Sequence, residues 1–400
     1  MGTKPKVKQR KAVNELNKLH RLICVGITGA MKTCPTDALG VLLNIPPLPI
    51  LIEREARSSA LRLKGISELK SGDMKGHLKI LEDFLHSPIL HRDDILSPKP
   101  ILFRNFQVII NERTDWRTNS ITFKPGSQLW FTDGSKLENG RTGAGINGPK
   151  FKKSIPMGFY PTIFQAEIHA IEICVRECLS RKMRGTHIYI LSDSQAALKA
   201  LLSTTITSKL VNDCLNLLNM LGNLNIVTLG WIPGHEGHEG NEMADDLAKQ
   251  GANMQLTGPE PFCGLTKGHI NEFLRKWEER KLAAHWLNCA GQRQAKLFLS
   301  PNKGISDKLL SLNRVDLRLL TGYLTGHCSL RYHPNNIGLS ETNVCRFCEM
   351  DIESSEHVLC ECPALGRQRL HHLGGIVVSP CNLWNNKPKI VLKFITLVVS

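Results

Sequence analysis

Residues 225–251, NIVTLGWIPGHEGHEGNEMADDLAKQG, constrain the fold more tightly than any other stretch of the chain. Ile226, Val227, Leu229 and Trp231 read as a short apolar strand, a Gly/His loop follows, and the remainder reads as a helix. The loop sets His235 and His238 beside Glu236, Glu239 and Glu242, shortly before Asp245 and Asp246. Successive helical residues point about 100° apart, so at most one of these two acids can look into a site built on one face. In isolation, a solvated helix start with acids favourable to its dipole explains the loop as well as a metal or phosphoryl site does. The acids upstream change the weighing.

Residues 128–256 alternate strand and helix patterns. QLWFTDGS is a strand with Leu129, Phe131 and Asp133 on one face, and Asn139-Gly140 is a hairpin signal before the small-residue strand TGAGI. The pattern then predicts a strand near 153–159, a helix over 163–179, the strand THIYILSDS, and helices over 195–202 and 209–222. Three hairpin strands followed by α-β-α-β-α describe an α/β fold, a mixed five-stranded sheet with helices on its faces. Glu167 shares a helix stripe with Ala170, Ile171, Cys174 and Cys178, and Asp193 shares a strand face with Tyr189 and Leu191. Singly, each acid reads as a surface or turn carboxylate. Together, two parallel strands ending in Asp, an inward Glu and an acid on the last helix can converge at one sheet edge. Four clustered carboxylates repel unless cations fill the space. Oxygen-only ligands select Mg²⁺ or Mn²⁺ over zinc, and two such ions about 4 Å apart can assist phosphodiester hydrolysis.

These segments resemble type 1 ribonuclease H domains. FTDGS, QAEIHAIE, LSDSQAALKAL and WIPGHEGHEGNEMADDLAK occur in the family's order and at its spacing. The resemblance implies Asp133, Glu167, Asp193 and Asp245 as the metal-binding carboxylates, Asp245 being the acid at the matching offset from Asn241-Glu242. It implies His235 as the mobile-loop histidine that assists proton transfer or product release. Gly134, Ser135 and Gln195 match positions that contact the RNA strand through its 2′-OH groups and minor-groove edge. One departure stands out: the basic protruding loop of bacterial members is replaced by STTITSKLVND, whose one cation is Lys209.

The flanks differ in character. Residues 1–95 begin with Lys4, Lys6, Lys8, Arg10 and Lys11 and continue as helices; residues 96–127 read as a connector, and Asp93-Asp94 just upstream of it read as linker charges. Residues 262–335 are basic and helical, with Phe273, Leu274, Trp277, Leu282 and Trp286 as a core-like stripe. Within 340–385, Cys345, Cys348, His357 and Cys362 give C-x2-C-x8-H-x4-C, which suits a closed, structural Cys3His zinc knuckle; Cys360 competes for the last position with a shorter reach from His357. GITGAMKTCPTDALGVLLNIPPLPI and the Cys/His region resemble segments of jockey-like non-LTR retrotransposon polyproteins, downstream of the reverse transcriptase palm. No aromatic-x-Asp-Asp hairpin is present, so the resemblance implies a C-terminal piece without polymerase activity.

A formal net charge of +15 favours a polyanionic partner, and thirteen dilute cysteines fit a reducing compartment rather than a disulfide scaffold. The amino terminus lacks a signal-peptide core, and the apolar tail IVLKFITLVVS is about half a membrane span. The reading is a cytoplasmic or nuclear, Mg²⁺-dependent endoribonuclease acting on the RNA strand of RNA–DNA hybrids, without membrane association and with other retroelement proteins as candidate partners. The rival is a non-catalytic nucleic-acid-binding remnant.

Overall fold

A computed structural model describes residues 7–66, 76–84, 87, 93–118, 120–385 and 387–399. Lys4 and Lys6 of the basic run, and most of the His/Pro stretch before Asp93, lie outside the described residues. The chain opens with helices α1 (Val7–Thr28), α2 (Thr36–Leu43) and α3 (Leu48–Ile66). Strands β1 (Ile95–Pro100) and β2 (Gln107–Ile109) and the short helix α4 (Arg113–Arg117) follow. Then come β3 (Gln128–Lys136), β4 (Thr142–Gly148), β5 (Phe151–Gly158), α5 (Ile163–Ser180), β6 (His187–Ser192), α6 (Gln195–Leu202), β7 (Thr205–Ser208), α7 (Lys209–Gly222), β8 (Ile226–Trp231) and α8 (Glu239–Asn253). The remainder is helical: α9 (Lys267–Asn288), α10 (Arg293–Phe298), α11 (Lys303–Leu310), α12 (Arg314–Thr325), α13 (Tyr332–Asn336), α14 (Gly366–Leu373) and α15 (Pro388–Val399). These elements form two compact units, Arg57–Phe273 and Met1–Ala56 with Leu274–Ser400.

The first unit is α/β, with a sheet in the order β2-β8-β6-β3-β4-β5. β2, β8, β6 and β3 run parallel, and β4 and β5 complete an antiparallel meander. The expected five strands are therefore six. Gln107, Val108 and Ile109 pair in parallel with Thr228, Leu229 and Gly230, so the supposed connector supplies an edge strand. Asp94, expected as a linker charge, is buried: its carboxylate accepts from Ser208 Oγ (2.8 Å) and from the Leu210 N–H (2.9 Å), tying the chain to the start of α7. β1 pairs antiparallel with β7 in a separate ribbon.

Local chemistry sets the helix starts. Thr162 accepts from the Gln165 N–H while the Gln165 side chain reaches back to the Thr162 N–H, a capping box that opens α5. Ser194 and Ser208 cap α6 and α7 through the N–H groups of Ala197 and Val211. Glycines then decide how close helices come to the sheet. A Cβ on Gly145 would lie 2.1 Å from the Ala244 carbonyl oxygen, and one on Gly134 would lie 2.7 Å from the Glu167 nitrogen. Gly145 pairs with Asp133, and Gly134 pairs with Ala144. Neighbouring residues of a strand face opposite ways, so α8 and α5 lie on opposite faces of the same strand pair.

The second unit has its own core, including Leu39 and Leu42 of α2, Leu320, Tyr323 and Leu324 of α12, and Phe394 and Ile395 of α15. TDALGVLL is apolar nearly all round, so α2 must be covered, and it packs against α1, α11 and α12. The amino-terminal helices and the carboxy-terminal region thus share one core rather than standing as separate regions. Of the predicted stripe, Leu274, Trp277, Leu282 and Trp286 are buried and Phe273 is half-buried. Among the described residues no single helix is long and apolar enough to cross a membrane.

Gly145→Ala should therefore lower the stability of the sheet unit by roughly 1–3 kcal/mol, the usual range for overpacking. Urea unfolding monitored by circular dichroism checks this; an unchanged midpoint would show that α8 can lift from β4 freely.

Candidate active site

The parallel pairing of β3 with β6 builds the site. Thr132 is in register with Ser192, so the next residues, Asp133 and Asp193, stand level at adjacent strand ends. Glu167 reaches the same point from α5, which Gly134 allows to pack against β3 without a side chain in between. Carboxylate oxygens of Asp133, Glu167 and Asp193 lie within 4.8 Å of one another. Asp245 is close enough to disfavour ionisation of Asp133 and Asp193, but it stands outside that triad and accepts from Lys249 Nζ at 2.6 Å. Asp246 is exposed, as the one-face argument requires.

Burial makes these charges difficult to hold. Asp133 and Glu167 are buried and Asp193 is half-buried. Burial first, then the neighbouring Asp193 and Asp245, push the Asp133 carboxyl up to about 7. Burial, Asp133 and Asp193 likewise hold Glu167 well above the usual carboxylate range, and burial raises Asp193. Asp133 Oδ2 is buried with no hydrogen-bond partner. A buried carboxylate oxygen without a partner, in a cluster with two further carboxylates, is a donor set that a hard divalent cation such as Mg²⁺ or Mn²⁺ fits.

The other expected residues surround this cluster. Gly134 and Ser135 follow Asp133 on β3, and Gln195 is the first residue of α6, its Oε1 accepting from Lys199 Nζ (3.1 Å). His235 is exposed on the loop after β8, with a left-handed φ of 56°, and its presence nearby favours ionised Asp193. Three contributors escaped the sequence reading. Asn241 is buried, and its side chain favours the ionised form of Asp193. Lys249 clasps Asp245, and a Cβ on Gly234 would lie 2.5 Å from Asp193 Oδ2. Asn241, Asp245 and Lys249 are four apart on α8, a spacing that puts them on one face and was available to find two of them.

In the helical unit, Cys345, Cys348, His357 and Cys362 offer ligand atoms within 4.8 Å of one another, while Cys360 is not in the group. Cys345 Sγ–Cys362 Sγ is 3.9 Å and Cys348 Sγ–His357 Nε2 is 3.3 Å. A tetrahedral zinc with Zn–S near 2.3 Å has ligand–ligand edges of about 3.8 Å, so the four residues fit the ion. The Met350 N–H foremost, with His357 assisting, lowers the Cys348 thiol to about 7. Arg346 chelates the fully buried Glu353, which also accepts from the Arg331 N–H, and so ties the hairpin of Cys345 and Cys348 to the helical core.

The raised Asp133 carboxyl has a consequence for stability. The native state holds this proton more tightly than the unfolded chain, so ionising Asp133 destabilises the metal-free fold progressively from about pH 4 to about pH 7. Asp133→Asn should thus be more stable than the parent in EDTA at pH 8, by on the order of a few kcal/mol, and the gap should close near pH 4. Urea midpoints at the two pH values check this. Equal midpoints at pH 8 would contradict the buried charge.

No curated protein matches the chain. Residues 125–253 match the RNase H family model, a span running from just before β3 to the end of α8 and holding all four acids. The match supports nuclease action on RNA–DNA hybrids in general and leaves β1, β2 and α4 outside it. The likeness to the RNase H family thus lies in this part of the chain.

Proposed function

We propose that this domain is a Mg²⁺-dependent endoribonuclease that hydrolyses the RNA strand of RNA–DNA hybrids, leaving 3′-OH and 5′-phosphate ends. The observation that carries the reading is the carboxylate triad, with its orphaned Asp133 oxygen, at the end of two parallel strands. Asp133, Glu167, Asp193 and Asp245 would hold two Mg²⁺ or Mn²⁺ ions, which supply Lewis acidity toward the scissile phosphodiester. Gly234 leaves room for the Asp193 carboxylate, and Asn241 favours its ionised form. Lys249 donates to Asp245 at the rim of the cluster and fixes the position of that carboxylate. His235, exposed near Asp193, would move a proton to or from solvent. Gly134, Ser135 and Gln195 present backbone and short polar groups beside the cluster, where contacts to 2′-OH groups of one strand distinguish RNA from DNA.

The positive charge outside the RNase H domain supports hybrid binding by the full chain, since the middle helices lack a basic loop. The likeness of both flanks to non-LTR retrotransposon polyproteins supports a retroelement origin, with work on nucleic acid in the cytoplasm or nucleus and other retroelement proteins as partners. Cys345, Cys348, His357 and Cys362 hold a structural zinc in this reading.

Two measurements test these assignments. With Mg²⁺ the full chain should cut the RNA of a labelled hybrid and leave duplex DNA intact, and Asp193→Asn should lose cleavage; equal cutting of both substrates would refute the specificity. His235→Ala should be milder, slowing turnover by roughly 100-fold at the low end of acid–base contributions. Elemental analysis should give one zinc per chain, reduced in Cys362→Ser and retained in Cys360→Ser. A reversed result would make Cys360 the ligand.

A further inference from the structure

The loop that carries His235 is held from outside the family-matched span. Helix α4 presents Arg113, Trp116 and Arg117 on one face, at spacings of three and four residues. Arg113 Nε lies 3.3 Å and Arg117 Nη2 lies 3.1 Å from Glu236 Oε1, and Arg117 Nε reaches Oε2 at 3.4 Å. Trp116, almost fully buried, donates its indole N–H to the Trp231 carbonyl at 3.1 Å and meets His238 edge-on at 5.0 Å. One short helix therefore grips the start of the loop, its middle and its end.

The loop needs such support. His235 and Gly237 both adopt left-handed backbone conformations (φ 56° and 81°), and a non-glycine residue there is strained. An isolated exposed ion pair contributes little. Here two guanidiniums share one carboxylate whose side chain is only 20% exposed, and a buried indole anchors the helix that bears them. α4 has its own capping box between Glu112 and Asp115, and β2 before it is bonded to β8, the strand that leads into the loop. The device is thus continuous from sheet edge to loop.

We infer that Arg113, Trp116 and Arg117 are positioning residues, a latch that holds the Glu236 loop so that His235 stands beside Asp193. The inference rests on the proposed role of His235. It assigns to the segment before the RNase H domain a part in turnover, acting through the loop and not through contact with substrate.

The test compares Arg113→Ala/Arg117→Ala, His235→Ala and their combination in the full chain. These arginines are exposed enough for the double variant to fold, and its melting curve checks that. The latch predicts a fall in kcat of about 10-fold or more at unchanged KM, within what small misplacements of a reacting group cause. In the His235→Ala background the same change should have no further effect. A rise in KM with kcat unchanged would mean that the arginines bind the hybrid phosphates directly, and additive losses would mean that they act apart from His235; either overturns the latch. Amide hydrogen exchange provides a readout free of catalysis: the N–H groups of residues 234–237 should exchange faster in the double variant. If the parent chain cuts no hybrid, the nuclease reading fails while this comparison still decides the latch, and unchanged exchange overturns it.

Discussion

Everything at this site depends on the register of two neighbouring parallel strands. With Thr132 level with Ser192, Asp133 and Asp193 cannot avoid each other, and the helices on both faces are brought close enough for Glu167 and Asp245 to join them. A slip of one residue on either strand would turn one aspartate to the opposite face. The apolar residues beneath fix that register. Trp130, Ile188, Ile190, Val227 and Leu229 are buried in a single core, so the strands hold their alignment independently of the acids. The fold thereby assembles like charges that would otherwise stay apart, and the mutual repulsion is the property a divalent cation relieves.

The glycines at the helix–sheet contacts belong to the same arrangement. Gly134 is expected, from the family resemblance, as a substrate contact, yet it already has a structural reason to be glycine, since α5 sits where a side chain would be. The two roles are compatible, but the packing role means that a Gly134 substitution reports on the fold before it reports on binding. Gly145 and Gly143 do the same for α8, the helix that carries Asp245. Positioning of the acids is thus enforced by backbone proximity and not by hydrogen bonds among them.

Much of this was legible because the governing patterns are local. The alternation of β3, the stripe of α5 and the (i, i+4) ladder on α8 are all periodicities within one element. The helices over 195–202 and 209–222 follow their patterns residue for residue, because serine caps mark their starts. β2 was missed because a three-residue edge strand has no period to read; it is a strand through its bonds to β8. Asp94 looked like a linker charge for a similar reason, since its partners, Ser208 and Leu210, are more than a hundred residues away. The Cys/His spacing left Cys360 and Cys362 in competition, and folding separates them: Cys362 faces Cys345, while Cys360 is buried among apolar residues. The union of both termini in one core was illegible for the same reason of distance, although the all-round apolarity of α2 announced that something must cover it.

The central claim is that the buried carboxylates form a cation site, and it is tested most directly by calorimetric titration of the full chain with Mn²⁺ at pH 6.5 in buffers of different ionisation enthalpy. Asp133, held at about 7, is still largely protonated there, and burial raises Glu167 in the same direction, so binding must expel protons. The account predicts saturable binding with proton release that the buffer series reveals, and loss of that binding in Asp133→Asn. Binding of equal affinity in the variant, or binding with no proton released, would contradict it.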